Sequence, residues 1–400
     1  MGRANDVVRW ECGTRVYAGD DVWRAVPSGA ALGSRLVLVV GAGFAAANFL
    51  LVETLRVHLG VEADRVLFVQ SPCTFAKVEE LAGSLERAAA DGVVAVGGSS
   101  VLDATKLACR HLADRRTLPT VRARGARRGV VRLPPESPAQ LHRTFVPTTI
   151  GAAAAVRPFA SVALRGHPRL VEGTGLTPDI AVVDSAFTTS LPPQAIVEGI
   201  SASVMRAADW YVADEDANPL TEAETRTAVS LLVSLGMRAG KDGLDAHDRL
   251  LASCADMAQF GLPLAGHQPV VTASRAVSAE LAFETGEPPG SVLAALLPAM
   301  WQAVDDGDAL LGSRARLRRV WSWIRAAGSP AWPAEPGPGF AAMFRSWRLG
   351  SGLACDAAVA SAASVRTLRF WEAGVPALAG RSAPELAGWI GNAVQAEVCS

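Results

Sequence analysis

Residues 93–106, Val-Val-Ala-Val-Gly-Gly-Ser-Ser-Val-Leu-Asp-Ala-Thr-Lys, bring together the groups best suited to hold a phosphate. Gly97 and Gly98 let the backbone approach a ligand with no Cβ in the way. Ser99 and Ser100 can cap the helix that follows and leave its first N–H groups facing an anion. Asp103 stands one helical turn in and Lys106 another turn on. A plain strand–turn–helix connection with no ligand accounts for a Gly-Gly-Ser equally well, so neighbouring elements must decide between the two readings.

Those elements alternate. Residues 35–40 and the apolar run at 93–96 read as buried parallel strands, 65–70 as another, and 45–59 and 75–91 as amphipathic helices between them. Residues 7–17 read as an opening strand. This order implies a parallel sheet with right-handed crossovers. The expected fold class is α/β, with an N-terminal parallel-sheet nucleotide-binding domain over residues 1–190 and a C-terminal all-helical domain over 191–400. Between 115 and 143 eight arginines crowd a stretch with few acids. There 120–124 and 129–133 are expected to pair as a hairpin around Gly125–Arg128, as a solvated basic loop or as a docking surface for an acidic partner. Residues 329–339, rich in Pro and Gly, read as a loop.

Three segments in order resemble the iron-containing alcohol dehydrogenase and 3-dehydroquinate synthase superfamily. The Gly97–Lys106 stretch is similar to its Gly-Gly-Gly-Ser-x-x-Asp-x-x-Lys pyrophosphate loop. Val146-Pro-Thr-Thr-Ile-Gly151 resembles its Ile-Pro-Thr-Thr-x-Gly element. Pro178-Asp179 through Asp184, with Leu191-Pro-Pro193 after it, looks like its Pro-Asp strand and Leu-Pro-Pro helix start. The resemblance implies a dinucleotide, NAD or NADP, held by Gly41, Gly43, Gly97, Gly98, Ser99, Ser100, Asp103, Lys106, Thr148, Thr149 and Gly151. It also puts Arg169 in the place of a family lysine that reaches the cofactor. Gly41 replaces an acidic residue that many NAD-using relatives carry, and losing it removes repulsion against a 2′-phosphate without adding a positive charge.

The chain departs from the family where relatives hold iron or zinc. The four ligand positions fall on Ala202, Arg206, Arg275 and Pro289, none of which suits these metals. The expectation is a metal-independent relative in which Arg206 and Arg275 grip a carboxylate or phosphate. The alternative is a structural network with Glu198, Asp209 or Glu280.

The implied reaction is NAD(P)-dependent oxidation of an alcohol beside an anionic group, with His267 as base and Arg206 and Arg275 supplying positive charge. A β-hydroxy acid fits, because its oxidation product loses carbon dioxide readily. Such a reaction resembles that of the dehydrogenase-like oxidative decarboxylases of daptide biosynthesis, which act on a peptide C-terminal Thr. Expected partners are thus a small-molecule or peptide substrate with a carboxylate, and a second copy of the chain in a homodimer. Two other classes stay open: a sugar-phosphate cyclase like 3-dehydroquinate synthase, and a non-catalytic nucleotide-binding subunit. The cyclase is disfavoured because the chain has only three lysines, Lys77, Lys106 and Lys241.

Composition narrows the field further. A net charge of −1 over 400 residues argues against bulk nucleic-acid binding. Six cysteines stand far apart with no Cys-x-x-Cys, which signals neither a zinc knuckle nor a disulfide framework. No apolar stretch follows the first residues and no run reaches membrane-span length, so a cytoplasmic location without membrane contact is expected.

Overall fold

Val93, Val94, Ala95 and Val96 are buried on both sides of the strand they form, and this double burial organises the N-terminal half. A computed structural model describes residues 13–24, 32–134, 141–151, 153–213, 219–261, 271–350 and 353–398. Six parallel strands, β1 (Arg15–Ala18), β2 (Leu36–Gly41), β3 (Val66–Val69), β4 (Gly92–Gly97), β6 (His142–Pro147) and β9 (Ile180–Val183), lie in the order β1-β9-β6-β4-β2-β3. Alternate residues of β2 and β4 serve opposite faces. Val37, Val39, Val93 and Ala95 pack with α3 (Phe75–Arg87) and α4 (Ser99–Ala113). Leu38, Val40, Val94 and Val96 pack with Trp23 and with α2 (Phe49–Leu59), which follows the short α1 (Ala42–Ala47). A parallel sheet covered on both faces is what near-continuous apolar strands require. Full burial of each such Val side chain is worth about 1.5–3 kcal/mol.

The chain departs from β2 toward β3 on one side and returns through β4 on the other. The β2/β4 boundary is therefore a topological switch point, where doubly wound sheets open a crevice beyond their carboxyl ends. Gly41 ends β2 and Gly97 ends β4, and a Cβ on Gly41 would stand 3.8 Å from Gly97 Cα.

Three expectations need correction. The basic segment forms α5 (Thr117–Gly125) followed by β5 (Val130–Arg132), not a hairpin. Leu118, Val121 and Gly125 recur at helical spacing and are the buried side of α5. β5 pairs in parallel with β8 (His167–Glu172), some forty residues on, and β8 pairs antiparallel with β7 (Phe159–Leu164) in a second sheet ordered β5-β8-β7. The amphipathic helix expected over 45–59 is split at Asn48, whose amide donates to Phe44 O and Ser190 Oγ. The Pro-Gly stretch ends inside α12 (Pro336–Ser346), because Pro336 occupies a first-turn position where its missing N–H costs nothing. Of the opening strand expected at 7–17, residues 7–12 lie outside the described residues.

From Pro193 on, every described element is helical: α6 (Pro193–Ala213), α7 (Pro219–Ala239), α8 (Ala246–Ala258), α9 (Ala273–Thr285), α10 (Pro289–Asp306), α11 (Arg314–Ala327), α12, α13 (Ala357–Trp371) and α14 (Ala383–Val398). Tryptophans pack the helical half: Trp301, Trp321, Trp332 and Trp347 fill one core, Trp371 and Trp389 another. No described helix is long and apolar enough to cross a membrane.

The two halves meet backbone to backbone. Gly151, with φ +78°, turns the chain after β6 against α6, where a Cβ would come 2.7 Å from Gly199 O. A Cβ on Gly199 would in turn meet Ile150 O at 2.3 Å. Two glycines thus allow the contact that places α6 beside the switch point.

Candidate functional site

α4 begins immediately beyond Gly98, an extended residue that caps the helix without any side-chain hydrogen bond. Val101 and Leu102 donate their N–H groups to Gly98 O. Among the described residues the N–H groups of Ser99 and Ser100 have no acceptor, and the hydroxyls of Ser99, Ser100, Thr148 and Thr149 have no partner. Thr149 lies against Gly98, where an added Cβ would be 3.3 Å from its Cγ2. The first turn of α4 therefore presents unpaired donors, aided by the positive end of a 15-residue helix, at the sheet's switch point. Gly43 sits in α1 with open space where a Cβ would be. This donor set fits a dinucleotide's pyrophosphate.

Gly97 has a different reason to be glycine. A Cβ there would stand 2.6 Å from Val101 Cβ, inside its own domain.

Asp103 and Lys106 do not join the open turn. Asp103 is 2% exposed; its Oδ2 accepts from Arg157 Nη2 and, at 2.9 Å, from the Ser161 N–H. Lys106 is 1% exposed and donates to Arg157 O at 2.7 Å and Phe159 O at 3.1 Å. Burial drives its ammonium well below the usual lysine range, and Asp103 opposes that shift. Both side chains tie α4 to the start of β7. Arg169 is likewise taken up: it donates to Gly125 O at 2.6 Å, reaches Glu280 Oε1 at 3.4 Å and lies 4.1 Å over the Phe370 ring. The two aspartates of the Pro-Asp segment are also structural. Asp179 accepts the Arg143 N–H, and Asp184 accepts from Ala186 and Trp23.

Across the junction, α6, α8 and α9 bring arginines together. Arg206 pairs with Asp256, which also accepts from Ser203 Oγ at 2.6 Å. Asp256 is completely buried. Asp209, one turn beyond Arg206 on α6, accepts from Thr272 and Ser274 at the start of α9. Burial raises its pKa. The guanidinium of Arg275, on the first turn of α9, has no hydrogen bond or ion pair among the described residues. Burial, then repulsion from Arg206 and Arg157, lowers its pKa to about 10, with Asp209 and Asp256 acting in the opposite sense. It stays a cation at neutral pH.

Sequence reasoning brought Arg206 and Arg275 to one place, and the structure does so too. The partner of Arg206, Asp256, was missed; so was the pairing of Arg157 with Asp103. No local pattern marks either pair, since 50 or more residues separate the members. Glu280, offered as a partner for these arginines, instead receives Arg169, Arg366 and the Trp371 indole N–H. His267 lies outside the described residues.

Of the positions read as counterparts of the family's metal ligands, Ala202 offers no donor, Pro289 is an exposed residue opening α10, and the other two carry guanidinium groups. Among the described residues no group of three or more His, Cys, Asp or Glu side chains is placed to hold a metal. Two facing guanidinium groups repel a cation, so these residues do not fit iron or zinc; they fit an anion.

Comparison with known proteins places these features in context. Residues 13–185 match the family model described as iron-containing alcohol dehydrogenase. The chain is 33% identical over 198 residues to a probable alcohol dehydrogenase, EutG, of Salmonella typhimurium, covering 46% of this chain and 47% of that protein. It is 29% identical over 180 residues to aldehyde-alcohol dehydrogenase 2 of Entamoeba histolytica, covering 42% and 20%. The chain thus spans less than half the length of these curated relatives. Among solved structures, an archaeal halo-thermophilic alcohol dehydrogenase from a Red Sea brine pool superposes with a TM-score of 0.80 at 17% identity, over 98% of this chain and all of the other. The NADH-dependent butanol dehydrogenase A of Thermotoga maritima gives 0.78 at 14% identity, over 96% and 97%. These likenesses establish the fold over nearly the whole chain.

Proposed function

We propose, for a chain whose residues 13–185 match the iron-containing alcohol dehydrogenase family model, an NAD(P)-dependent oxidation of an alcohol that carries a nearby carboxylate, carried out without a metal ion. The observation that carries this reading is Arg275, a half-buried cation whose guanidinium has no partner among the described residues, at a position that aligns with a metal ligand of the family.

A bound dinucleotide would supply the hydride acceptor. The Ser99 and Ser100 N–H groups would take its pyrophosphate, with the Thr148 and Thr149 hydroxyls beside them. Arg275 would hold the substrate carboxylate and place the adjacent carbinol carbon toward the switch point. Arg206, already neutralised by Asp256, would add positive potential but not a second clamp. His267 remains the proposed base for the hydroxyl proton. With a β-hydroxy acid such as a peptide C-terminal Thr, the carbinol would lose hydride and proton to give a β-keto acid, whose carboxyl group then leaves as carbon dioxide. The cyclase alternative is weaker still, because two of the three lysines are spent on backbone carbonyls: Lys106 as above, and Lys77 on Gln70, Ser71 and Pro72.

Calorimetric titration of NAD⁺ and NADP⁺ into chelator-treated protein, with metal content read on the same sample, tests the proposal. One dinucleotide should bind with no metal present. Binding that appears only after iron or zinc is restored would overturn the metal-free reading, and no binding at all would leave a non-catalytic subunit.

A further inference from the structure

The arginine-rich segment has a second feature that the redox reading does not use. Arg115, Arg116 and Arg122 are each paired with a carboxylate: Glu86, Asp114 and Glu79. Arg124, Arg127 and Arg128 are not. The Arg124 guanidinium donates only to the Arg132 carbonyl, at 3.0 Å, and the side chains of Arg127 and Arg128 make no hydrogen bond or ion pair among the described residues. These three line a concave groove of about 910 Å³, together with Arg132, which pairs with Glu172. Ala123, Ala126, Val130, Phe370, Ala373 and Gly374 complete the lining, with no Asp or Glu among them.

The groove is rigidly walled. Gly129 donates its N–H to Phe370 O at 2.6 Å and lies so close to Trp371 that a Cβ would come 2.3 Å from the indole. One wall, the end of α5 and β5, is thereby fastened to the other, the end of α13. The arginines are exposed and the floor is apolar. In a chain of net charge −1, such a concentration of uncompensated guanidinium is a local device, not a property of the whole surface.

We propose that this groove docks an acidic peptide segment, with carboxylates on Arg124, Arg127 and Arg128 and small apolar side chains on the Ala–Val floor. Its one aromatic ring argues for a peptide over a nucleic acid. Phe370 is buried, with Arg169 4.1 Å from its centroid and Arg369 5.2 Å, so it has no open face on which a base can stack. The proposal stands independently of the redox reading.

The test is fluorescence anisotropy of a labelled peptide alternating Glu with Ala, titrated with full-length protein at low salt, with an oligo-dT of equal charge as competitor. Native protein should bind the peptide. Arg127→Glu/Arg128→Glu should bind at least about tenfold more weakly, since two attractions become repulsions. Arg127→Ala/Arg128→Ala should fall between, and dinucleotide binding and melting temperature should stay at native values in both variants. No peptide binding by native protein, or equal binding by the charge-reversed variant, would overturn the proposal. Displacement by the oligonucleotide at lower concentration than by unlabelled peptide would also overturn it and make the groove a nucleic-acid surface.

Discussion

The first turn of α4 and the arginine cluster between α6 and α9 both suit an anion, but they are built in opposite ways. The α4 turn carries no formal charge. It uses backbone N–H groups and small hydroxyls, and among the described residues these have no protein partner. The arginine cluster is charged and largely self-satisfied: Arg206 is neutralised by Asp256 and Arg157 by Asp103, which leaves Arg275 as the cation without a partner among the described residues. The lesson is that residue type alone does not mark a binding group. Lys106 and Asp103 lie in the same motif as Ser99, yet burial and pairing make them scaffold, while the neutral serines stay available.

Substitutions should separate the two regions, and the largest effect is expected at a pair already satisfied. Arg206→Met should destabilise the fold by about 3–5 kcal/mol, because it leaves the fully buried Asp256 with only Ser203 as donor. Denaturant melts would measure this, and a companion Asp256→Leu in the same chain should recover much of the loss. A loss below about 1 kcal/mol for Arg206→Met would mean the pair is not the structural lock described. Next comes the neutral turn. Gly98→Val should abolish dinucleotide binding, by at least about 100-fold, with a native melting temperature, since the side chain would extend from the ligand-facing turn beside Thr149. Gly97→Val should do the reverse and lower stability first, by about 1–3 kcal/mol, because its Cβ strikes Val101. Equal calorimetric titrations for Gly98→Val and native protein would remove the turn from the site.

This difference also explains what was legible in the sequence. The strands at 36–41 and 92–97 and the turn at Gly97–Ser100 were readable because their cause is local: β-branched runs, then glycine, then serine. The pairing of Asp103 with Arg157 and of Arg206 with Asp256 was not, because each joins elements that only the tertiary fold brings together. The segment at 117–133 misled for a related reason. Its short alternating stretches satisfy strand and helix patterns alike, and the true partner of β5 is β8, not the neighbouring residues. Arg169 was expected at the cofactor, but what engages it is Gly125 O and Glu280, the latter more than a hundred residues away.

At the charged region, Arg275→Gln should raise KM for a carboxylate substrate about 10- to 100-fold, the worth of a charge-assisted hydrogen bond, with Kd for the dinucleotide unchanged. A drop in kcat with KM intact would instead make Arg275 a group that acts on the developing alkoxide, not a carboxylate anchor.

The smallest effect within the ordinary pH range, and the sharpest contrast, lies in titration. Burial and the facing Arg206 have brought the Arg275 pKa down from the usual arginine value to about 10, so its cation is complete below pH 9 and is lost as pH rises through that value. Only the charged form attracts a carboxylate. Binding of an unreactive carboxylate analogue should therefore be flat from pH 6 to 9 and then weaken about tenfold per unit beyond 10. The α4 turn holds its ligand with N–H groups and hydroxyls that do not titrate there, so dinucleotide affinity should remain level across the same span, with circular dichroism reporting that the fold persists. A decline in analogue binding that begins near pH 7 would assign the carboxylate to an imidazole and not to Arg275. A decline shared by the dinucleotide would mean that the two regions are one coupled site.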